Sequence, residues 1–306
     1  MTEITAAMVK ELRERSGAGM MDCKKALGET KGNIEEAIDF LRKKGIIKAG
    51  SKSGRVAAEG LIGATITSHV GALVEINSET DFVARNDKFQ DMVRSIASIA
   101  PAAGGDIAKL VAMTYPGSKL TVEDTVKEMV ATIGENMTAR RTAVAKVTDG
   151  VVADYLHNRV ADGLGKIGVL VALESKGDKP TLYELGKHLA MHVAATNPIA
   201  LDMAGVPADV LAREKAILAE KNQGKKPEVL EKIFQSSLKS YAKEHCLLDQ
   251  AYIHDSGKSV AQALKDAEGR VGAPVTIASF VRFALGEGIE KPVEDFADEV
   301  KKAGGA

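Results

Sequence analysis

The spacing of apolar positions predicts a helical start to the chain. Within residues 1–45, apolar side chains recur three and four positions apart in three short stretches, which predicts three helices. Thr5 and Asn33 stand where the N-caps of the first and third helices belong, and Glu36 completes a capping box with Asn33. Gly17 is expected to end the first helix. A unit this small has little core and is more typical of a docking module than of an enzyme.

From residue 58 the pattern changes to strands. The stretch "LIGATITSHVGALVEIN" predicts two strands around a turn near Ser68 and His69. The pattern then predicts a helix over 89–100, a helical run over 106–133 with Thr121 as the N-cap of its last part, and an extended segment over 139–147.

The chain then repeats itself. "GALVEINSETD" (71–81) aligns without a gap on "GVLVALESKGD" (168–178). Each stretch follows a predicted strand and precedes a loop and an amphipathic helix. Two strands and a helix in the same order predict a duplicated α+β core with antiparallel sheets. Chance similarity is the alternative, since apolar strands resemble one another.

Residues 206–244 interrupt the second repeat with two amphipathic helical patterns around a Gly-Lys-Lys-Pro turn, which predicts an antiparallel helical hairpin. Its apolar stripe is broad for a pair standing alone, so the hairpin is expected to pack on the core or on a second copy of the chain. A strand pattern returns over 275–285, and a short helix is predicted to close the chain.

Charge and composition exclude several classes of protein. Lys and Arg number 41 against 42 Asp and Glu, and this balance argues against direct nucleic-acid binding. No apolar run has the length of a membrane span, and no secretion signal opens the chain. Two distant cysteines, Cys23 and Cys246, do not make a disulfide scaffold, which favours a cytoplasmic protein.

Motifs for enzymatic chemistry are weak. "GLGKIG" (163–168) precedes a predicted strand, whereas dinucleotide binding needs a helix there, so a Gly-rich hairpin turn is favoured. "SGKS" (256–259) lacks the first glycine of a phosphate-binding loop. His188 and His192 have metal-ligand spacing without a third ligand, which favours partly buried structural histidines. We therefore predict neither a catalytic constellation, a metal site nor a cofactor.

Two apolar features leave alternatives open. Phe82, in "INSETDFVARND", either folds back as a lid on the sheet or projects into a pocket of another protein. Met20 and Met21 form either a loosely packed helix start or a surface that binds a partner. The internal alignment places Lys179 opposite Phe82. An aromatic needed by the sheet itself would recur, which favours the projecting alternative.

Five stretches together resemble the elongation factor Ts family: "LRERSGAGMMDCKKAL", "NSETDFVARND", "IGENM" followed by Arg140 and Arg141, "HLAMHVAATNP" and "FVRFALGEGIEK". The resemblance covers essentially the whole chain in the same order. It implies a translation elongation factor that binds the GDP form of elongation factor Tu, disturbs its magnesium and phosphate site, releases GDP and allows GTP to rebind. It also implies a protein without covalent chemistry.

The resemblance implies a division of the chain as well. The expected segments are a ubiquitin-associated-like helical docking module with a basic linker (1–55), a first core subdomain (56–148), a second core subdomain (149–205 and 245–288), a coiled-coil hairpin for dimerisation (206–244) and a C-terminal helical module (289–306). A homodimer through the hairpin stays an open alternative to packing on the core.

The partner-binding residues are also implied by the resemblance. Phe82 would wedge between elements of the partner's G domain, and Asp81 would perturb its magnesium site. The other expected contacts are Thr80, Val83, His157, Arg13, Met20, Met21, Lys24, Ile133, Gly134, Glu135 and Ile253. Two competing hypotheses are a nucleotide-dependent enzyme that uses "GLGKIG" or "SGKS", and a peptide- or RNA-binding adaptor built on the N-terminal helices.

Overall fold

The N-terminal unit is a three-helix bundle in the computed structural model, which describes residues 4–16, 18–43, 55–67 and 69–290. Its helices are α1 (Ala6–Ser16), α2 (Met20–Glu29) and α3 (Ile34–Lys43). Leu12, Leu27 and Leu41, one from each helix, are fully buried together. The N-cap at Asn33 is confirmed, because Asn33 Oδ1 accepts the Glu36 N–H at 3.2 Å. The capping box is incomplete: Glu36 Oε1 accepts the Asn33 side-chain amide at 2.9 Å, while the Asn33 backbone N–H donates to the Thr30 carbonyl. The predicted helix end at Gly17 lies outside the described residues.

The first half of the core is an antiparallel sheet with helices on one face. The sheet has the order β3-β2-β1-β5 and consists of β1 (Glu59–Thr67), β2 (Val70–Ser78), β3 (Met137–Lys146) and β5 (Leu164–Gly165). Between β2 and β3 lie α4 (Asp81–Ala84), α5 (Asp87–Ala103), α6 (Ile107–Ala112) and α7 (Val122–Ile133). Val74 and Ile76 of β2 pack in one buried cluster with Phe89 of α5.

The predicted helical stretch over 106–133 consists of two helices, α6 and α7, and not of one continuous helix. It breaks over 113–121, where Thr114 bridges to Thr121 and the Tyr115 N–H donates to the Leu120 carbonyl at 2.9 Å. The predicted N-cap is confirmed, since Thr121 Oγ1 accepts the Asp124 N–H at 3.1 Å.

The second half repeats this plan. Its sheet has the order β4-β6-β9 and consists of β4 (Gly150–His157), β6 (Ile167–Glu174) and β9 (Thr276–Ala284). The helices α8 (Lys179–Thr196) and α11 (Val260–Val271) cover one face, and β7 (Ala251–Tyr252) pairs with β8 (Asp255–Ser259) beside them. The opposite face of this sheet meets the first sheet, so the core is a stack of helices, sheet, sheet and helices.

Contacts between the sheets are reciprocal. A Cβ atom at Gly71 would lie 2.8 Å from Val152 and 3.0 Å from Leu170. A Cβ atom at Gly168 would lie 2.6 Å from a methyl group of Ile62 and 3.1 Å from a methyl group of Leu73. In the internal alignment, Gly168 corresponds to Gly71 and Leu170 corresponds to Leu73. Each half thus presents a glycine to the other's leucine, as an approximate two-fold relation requires.

The sheet bulges obey the same relation. The β2–β3 register shifts between Glu75 and Ile76, and the β6–β9 register shifts between Ala172 and Leu173. These are the positions that the internal alignment equates. A bulge is a local irregularity that chance similarity of two strands does not reproduce. The predicted duplicated α+β core with antiparallel sheets is therefore confirmed.

The predicted helical hairpin is present as α9 (Ala208–Lys221) and α10 (Pro227–His245), inserted between α8 and β7. Of the residues in these two helices, Ala242 alone is buried. At the base, the Ile199 N–H donates to the His245 carbonyl and the Leu247 N–H to the Ala200 carbonyl, both at 2.9 Å. The hairpin therefore leaves and re-enters the core at one place.

Parts of the predicted organisation lie outside the described residues, namely most of the basic linker (44–54) and most of the C-terminal helical module (291–306). The likeness of the N-terminal unit to ubiquitin-associated modules and the segment boundaries stay predictions. Within the described ranges, no helix combines the length and the apolar character needed to cross a bilayer.

Candidate functional site

Residues 79–86, here called the Phe82 loop, connect β2 to α5 and are tied to the end of α7. Glu135 accepts two hydrogen bonds from Thr80, one from its N–H at 2.9 Å and one from its hydroxyl at 2.7 Å. In exchange, Glu79 Oε1 accepts the Asn136 N–H at 2.5 Å. Hydrogen bonds to charged acceptors are stronger than neutral ones. Each segment therefore holds the other, and the loop begins from a fixed point.

Phe82 projects into solvent. It lies in the one-turn helix α4 and is 74% exposed, whereas its neighbours Val83 and Ala84 are buried against the first-half core. Burial of these two apolar neighbours orients the turn so that the aromatic ring faces outward. Phe82 is not a lid on the sheet. Asp81 pairs with Arg85 at 3.2 Å in an exposed ion pair, which contributes little stability.

The second half has no such loop. Asp178, which aligns with Asp81, caps α8 directly by accepting the Thr181 N–H at 2.9 Å. The hydroxyl and the N–H of Thr181 hold the pKa of Asp178 below its ordinary value. Lys179, the counterpart of Phe82, is the first residue of α8. The residues from α4 to the Asn86 cap of α5 are therefore an addition specific to the first half.

The N-terminal bundle contacts the same supporting helix. Arg15 of α1 lies 3.8 Å from Glu128 of α7 and 2.6 Å from Glu35 of α3. Met20 and Met21 are 60% and 76% exposed at the start of α2. Among the other predicted contacts, Arg13 and Lys24 are exposed on the bundle, and Ile133 and Gly134 end α7 immediately before Glu135.

Ile253 and His157 lie in the second half. Ile253 is 44% exposed in the turn between β7 and β8, and its N–H donates to His192 Nδ1 at 3.2 Å. Because Nδ1 accepts, Nε2 carries the proton and donates to Gln250 Oε1 at 2.9 Å. Burial lowers the pKa of His192, which keeps the ring neutral for this role. His157 is exposed at the end of β4, with Nδ1 3.1 Å from the Tyr155 hydroxyl.

The prediction of two partly buried histidines is therefore half wrong. His192 is fully buried, but His188 is exposed and its ring lies beside His254, with the centroids 4.8 Å apart. His188 and His192 share one face of α8. The β7–β8 turn contacts both ends of that face, through the Ile253 N–H at His192 and through the His254 ring at His188.

A family model described as Elongation factor TS matches residues 79–287. The chain belongs to the elongation factor Ts family. The elongation factor Ts of Methylobacterium sp. (strain 4-46) is 59% identical over 304 residues, covering 99% of each chain. That of Rhodopseudomonas palustris (strain BisB5) is 58% identical over 308 residues, and that of Xanthobacter autotrophicus (strain ATCC BAA-1158 / Py2) 56% over 305 residues, each covering 100% of this chain and 99% of the relative.

Membership of the elongation factor Ts family makes this chain an elongation factor of protein biosynthesis. The model's match begins at Glu79 and so includes the whole Phe82 loop. Glu79 and Asn136 are site residues that the sequence interpretation missed. Their signal is local, because "NSETD" places Glu79, and "IGENM" places Asn136, beside a loop at the end of a strand or helix.

The nucleotide-binding motifs do not form phosphate cradles in this elongation factor Ts family member. "GLGKIG" runs through β5 into β6, so a strand follows it and not a helix. Lys258 of "SGKS" pairs with Asp266 at 2.7 Å, and this carboxylate raises the pKa of the lysine. In the described part of the chain, no three His, Cys, Asp or Glu side chains are grouped to hold a metal ion.

Proposed function

We propose that this protein is a guanine-nucleotide exchange factor for elongation factor Tu. It binds the GDP form of that partner, disturbs the site that holds magnesium and phosphate, and lets GDP leave so that GTP rebinds. It does this without covalent chemistry and without a cofactor of its own, in the cytoplasm. The observation that carries the proposal is Phe82, a large aromatic residue 74% exposed on a loop that Glu135 fixes in place.

A rigid exposed phenylalanine is suited to anchor a partner. Exposure of the ring to water is unfavourable, and insertion into a pocket removes that exposure. Thr80 and Val83 already hold the backbone on both sides of the ring. Little conformational entropy is therefore lost on binding, which is the main advantage of a preorganised anchor.

Phe82 acts as a wedge between elements of the partner's G domain, and Asp81 acts on the water and ligand network of the partner's magnesium. Magnesium bridges phosphate and protein oxygens in such sites, so its displacement removes a large local attraction for GDP. Ile133, Gly134 and Glu135 form a further contact segment for the partner, and Glu135 also holds the Phe82 loop through Thr80.

The remaining contacts supply affinity. Arg13, Met20, Met21 and Lys24 form a mixed basic and apolar surface on the N-terminal bundle, in which methionine adapts to an apolar partner. His157 and Ile253 give the second half its own contacts. This protein and GDP then weaken each other's binding to elongation factor Tu by the same ratio, because coupling between two binding sites is reciprocal. The protein accelerates exchange without choosing GTP.

Stopped-flow release of a fluorescent GDP analogue from elongation factor Tu tests the proposal. We expect the release rate to rise with the concentration of the chain and to reach a plateau. Excess GDP should compete with formation of the complex. A release rate that stays at its spontaneous value while the two proteins form a complex contradicts the proposal. Measurable binding of GDP or ATP to the isolated chain would instead support the nucleotide-dependent enzyme.

The hairpin of α9 and α10 is proposed as a homodimer contact. Ile217 and Val229 are exposed large apolar side chains on its two helices. Sedimentation velocity of the full chain and of the double variant Ile217→Lys, Val229→Lys checks this. We expect a dimer for the first and a monomer for the second. A monomeric full chain at all concentrations contradicts the contact.

A further inference from the structure

Glu75 of β2 is a charged residue with no exposed surface. Four N–H groups surround its carboxylate: Arg140 Nη1 at 3.0 Å, Arg141 Nε at 2.5 Å, Asn77 Nδ2 at 3.0 Å and the Gly286 backbone N–H at 2.8 Å. Burial alone raises the pKa of Glu75, but the bonds from these four donors outweigh it and hold the pKa below its ordinary value. The buried carboxylate is therefore charged and fully paired.

The bulge in β3 makes this arrangement possible. Glu75 lies opposite Arg141 and Ile76 opposite Ala139, so Arg140 is the extra residue of the bulge. Successive side chains of a regular strand point to opposite faces of the sheet. A bulge redirects one of them. Arg140 and Arg141 can therefore both reach the same carboxylate.

The far end of the cluster lies in the second half, at the turn that follows β9. Arg141 Nη2 donates to the Ala284 carbonyl at 2.9 Å, and Arg140 Nη2 donates to the Glu287 carbonyl at 2.6 Å. Together with the Gly286 N–H, these bonds join the first sheet to the end of the second. We call Glu75, Arg140, Arg141 and the turn 284–287 the Glu75 clasp.

The turn packs closely against the backbone ahead of β1. Gly286 has a φ of 70°, a backbone conformation that favours glycine. A Cβ atom there would collide with the carbonyl oxygen of Ala58, just ahead of β1. The turn is therefore held from two sides, by the backbone before β1 and by the Glu75 carboxylate.

The second half has no counterpart of the clasp. The internal alignment equates Glu75 with the buried Ala172, which lies opposite Ser279, and the extra residue of that bulge is Ala278. Apolar contacts already join the two sheets, and both halves of the core contribute to them. A buried ion pair contributes little net stability compared with apolar packing, and its best-attested role is to specify one arrangement over others. This favours a role for the clasp in geometry.

We propose that the Glu75 clasp fixes the position of the Ile253 turn relative to the Phe82 loop, which makes Glu75 a positioning residue for nucleotide exchange. The inference rests on the proposed function, because it takes both features as contacts with elongation factor Tu. The same two strands lead from the clasp to the loop and its support: Glu75 on β2 precedes Thr80 of the loop by five residues, and Arg140 on β3 follows Glu135 by five. Two contacts on one protein bind well together only when the distance between them matches the distance between their sites on the partner.

The distance between the halves can be measured without the partner. Spin labels at Lys88→Cys in α5 and Lys176→Cys after β6, both exposed positions, report it by double electron–electron resonance on the full chain. The native Cys23 and Cys246 are fully buried, and a chain with only these two serves as the labelling blank. We expect Glu75→Gln to broaden the distance distribution. An unchanged distribution in the folded variant overturns the proposal.

Glu174→Gln is the matched control. Glu174 accepts the N–H groups of Thr148 and Asp149 at 2.7 and 2.9 Å, so it joins the end of β6 to the backbone just ahead of β4 and makes no contact with the Glu75 clasp. The Glu174→Gln variant should give the same distance distribution as the parent chain. If Glu75→Gln fails to fold, Arg140→Ala takes its place, because that side chain is 26% exposed and its loss leaves Arg141 on the carboxylate. For Arg140→Ala as well, a broadened distance distribution is expected, and an unchanged distribution overturns the proposal.

Exchange kinetics give the second readout. Glu75→Gln should raise the concentration of chain needed for half-maximal GDP release about tenfold and change the plateau rate by less than about twofold. In the Ile253→Asp background, Glu75→Gln should add almost nothing, because the spacing to a lost contact does not matter. Fully additive effects would overturn the positioning role. If the parent chain fails to accelerate GDP release, the proposed function fails, while the distance measurement still tests the clasp.

Discussion

The two halves of the core share strand order, bulge position and inter-sheet glycines, yet they continue differently after their second strand. The first half adds a loop that exposes Phe82, whereas the second half enters α8 at once through the Asp178 cap. One half also carries a buried glutamate where the other has Ala172. The comparison separates what the scaffold needs from what was added to it: features found twice build the fold, and features found once are candidates for function.

The largest effect is expected from the residue found only once. Phe82→Ala should lower the rate of partner-catalysed GDP release about 30-fold, the loss of roughly 2 kcal/mol that truncation of an aromatic hot spot causes. Stopped-flow release at a subsaturating concentration of the chain measures it. Lys179→Ala, at the aligned position of the other half, is the control and should change the rate by less than about twofold. Equal effects at both positions would remove the distinction between the halves.

The shared features predict equal effects in both halves. Gly71→Ala and Gly168→Ala should each lower the free energy of unfolding by about 1 to 3 kcal/mol, because each new methyl enters the packed space between the sheets. Urea unfolding measures the loss. Gly269→Ala is the control, since outside its own stretch of helix no atom lies within 4 Å of its Cβ position, and it should stabilise α11 by up to about 1 kcal/mol. A large loss at one inter-sheet glycine and none at the other would argue against the two-fold relation.

Support of the Phe82 loop can be tested apart from Phe82 itself. Glu135→Ala removes both acceptors of Thr80 and should lower the GDP release rate about tenfold, because the loop then samples other positions. Glu123→Ala, at the start of the helix that ends just before Glu135, removes an exposed pair with Lys127 and should leave the rate unchanged. Exchange at the parent rate with Glu135→Ala would show that the loop needs no fixed base.

The smallest effect concerns the caps of the two core helices. Asn86→Ala should lower the free energy of unfolding by about 1 kcal/mol at neutral pH and at about pH 3 alike, because an amide cap does not titrate. The pKa of Asp178 is lowered in the folded protein, so its contribution is present above the ordinary carboxyl pKa and is lost as pH falls through the lowered value. The cost of Asp178→Ala should therefore shrink in acid. Urea unfolding at both pH values compares them, and a constant cost for Asp178→Ala would contradict the charged cap.

Local signals carried much of the fold. The Asn33 and Thr121 caps, with their partners three residues away, were predictable because capping is local chemistry. Pro116 and Gly117 carried the signal for the break inside 106–133, which the continuing apolar spacing on either side concealed. The short strand β5 has only two residues, too few for any periodicity.

The site was predictable in position but not in support. The internal alignment separated Phe82 from the scaffold, but its projection depends on burial of Val83 and Ala84, which only the packed core decides. Glu75 looks like one polar residue in an apolar strand. Its partners lie 65, 66 and 211 residues further along the chain, beyond the reach of any local pattern.

The closed base of the α9–α10 hairpin makes it a replaceable part. Ala200 and Cys246 pair directly as a parallel bridge, so the chain between them is a side excursion from a core that is complete beneath it. Each doubling of such an excursion costs only about 0.6 kcal/mol of closure entropy. A chain built this way can take a longer, shorter or different hairpin without a change in the Phe82 loop or the two sheets, and a protein engineer can attach a reporter or a second domain at the hairpin tip, beside Gly224.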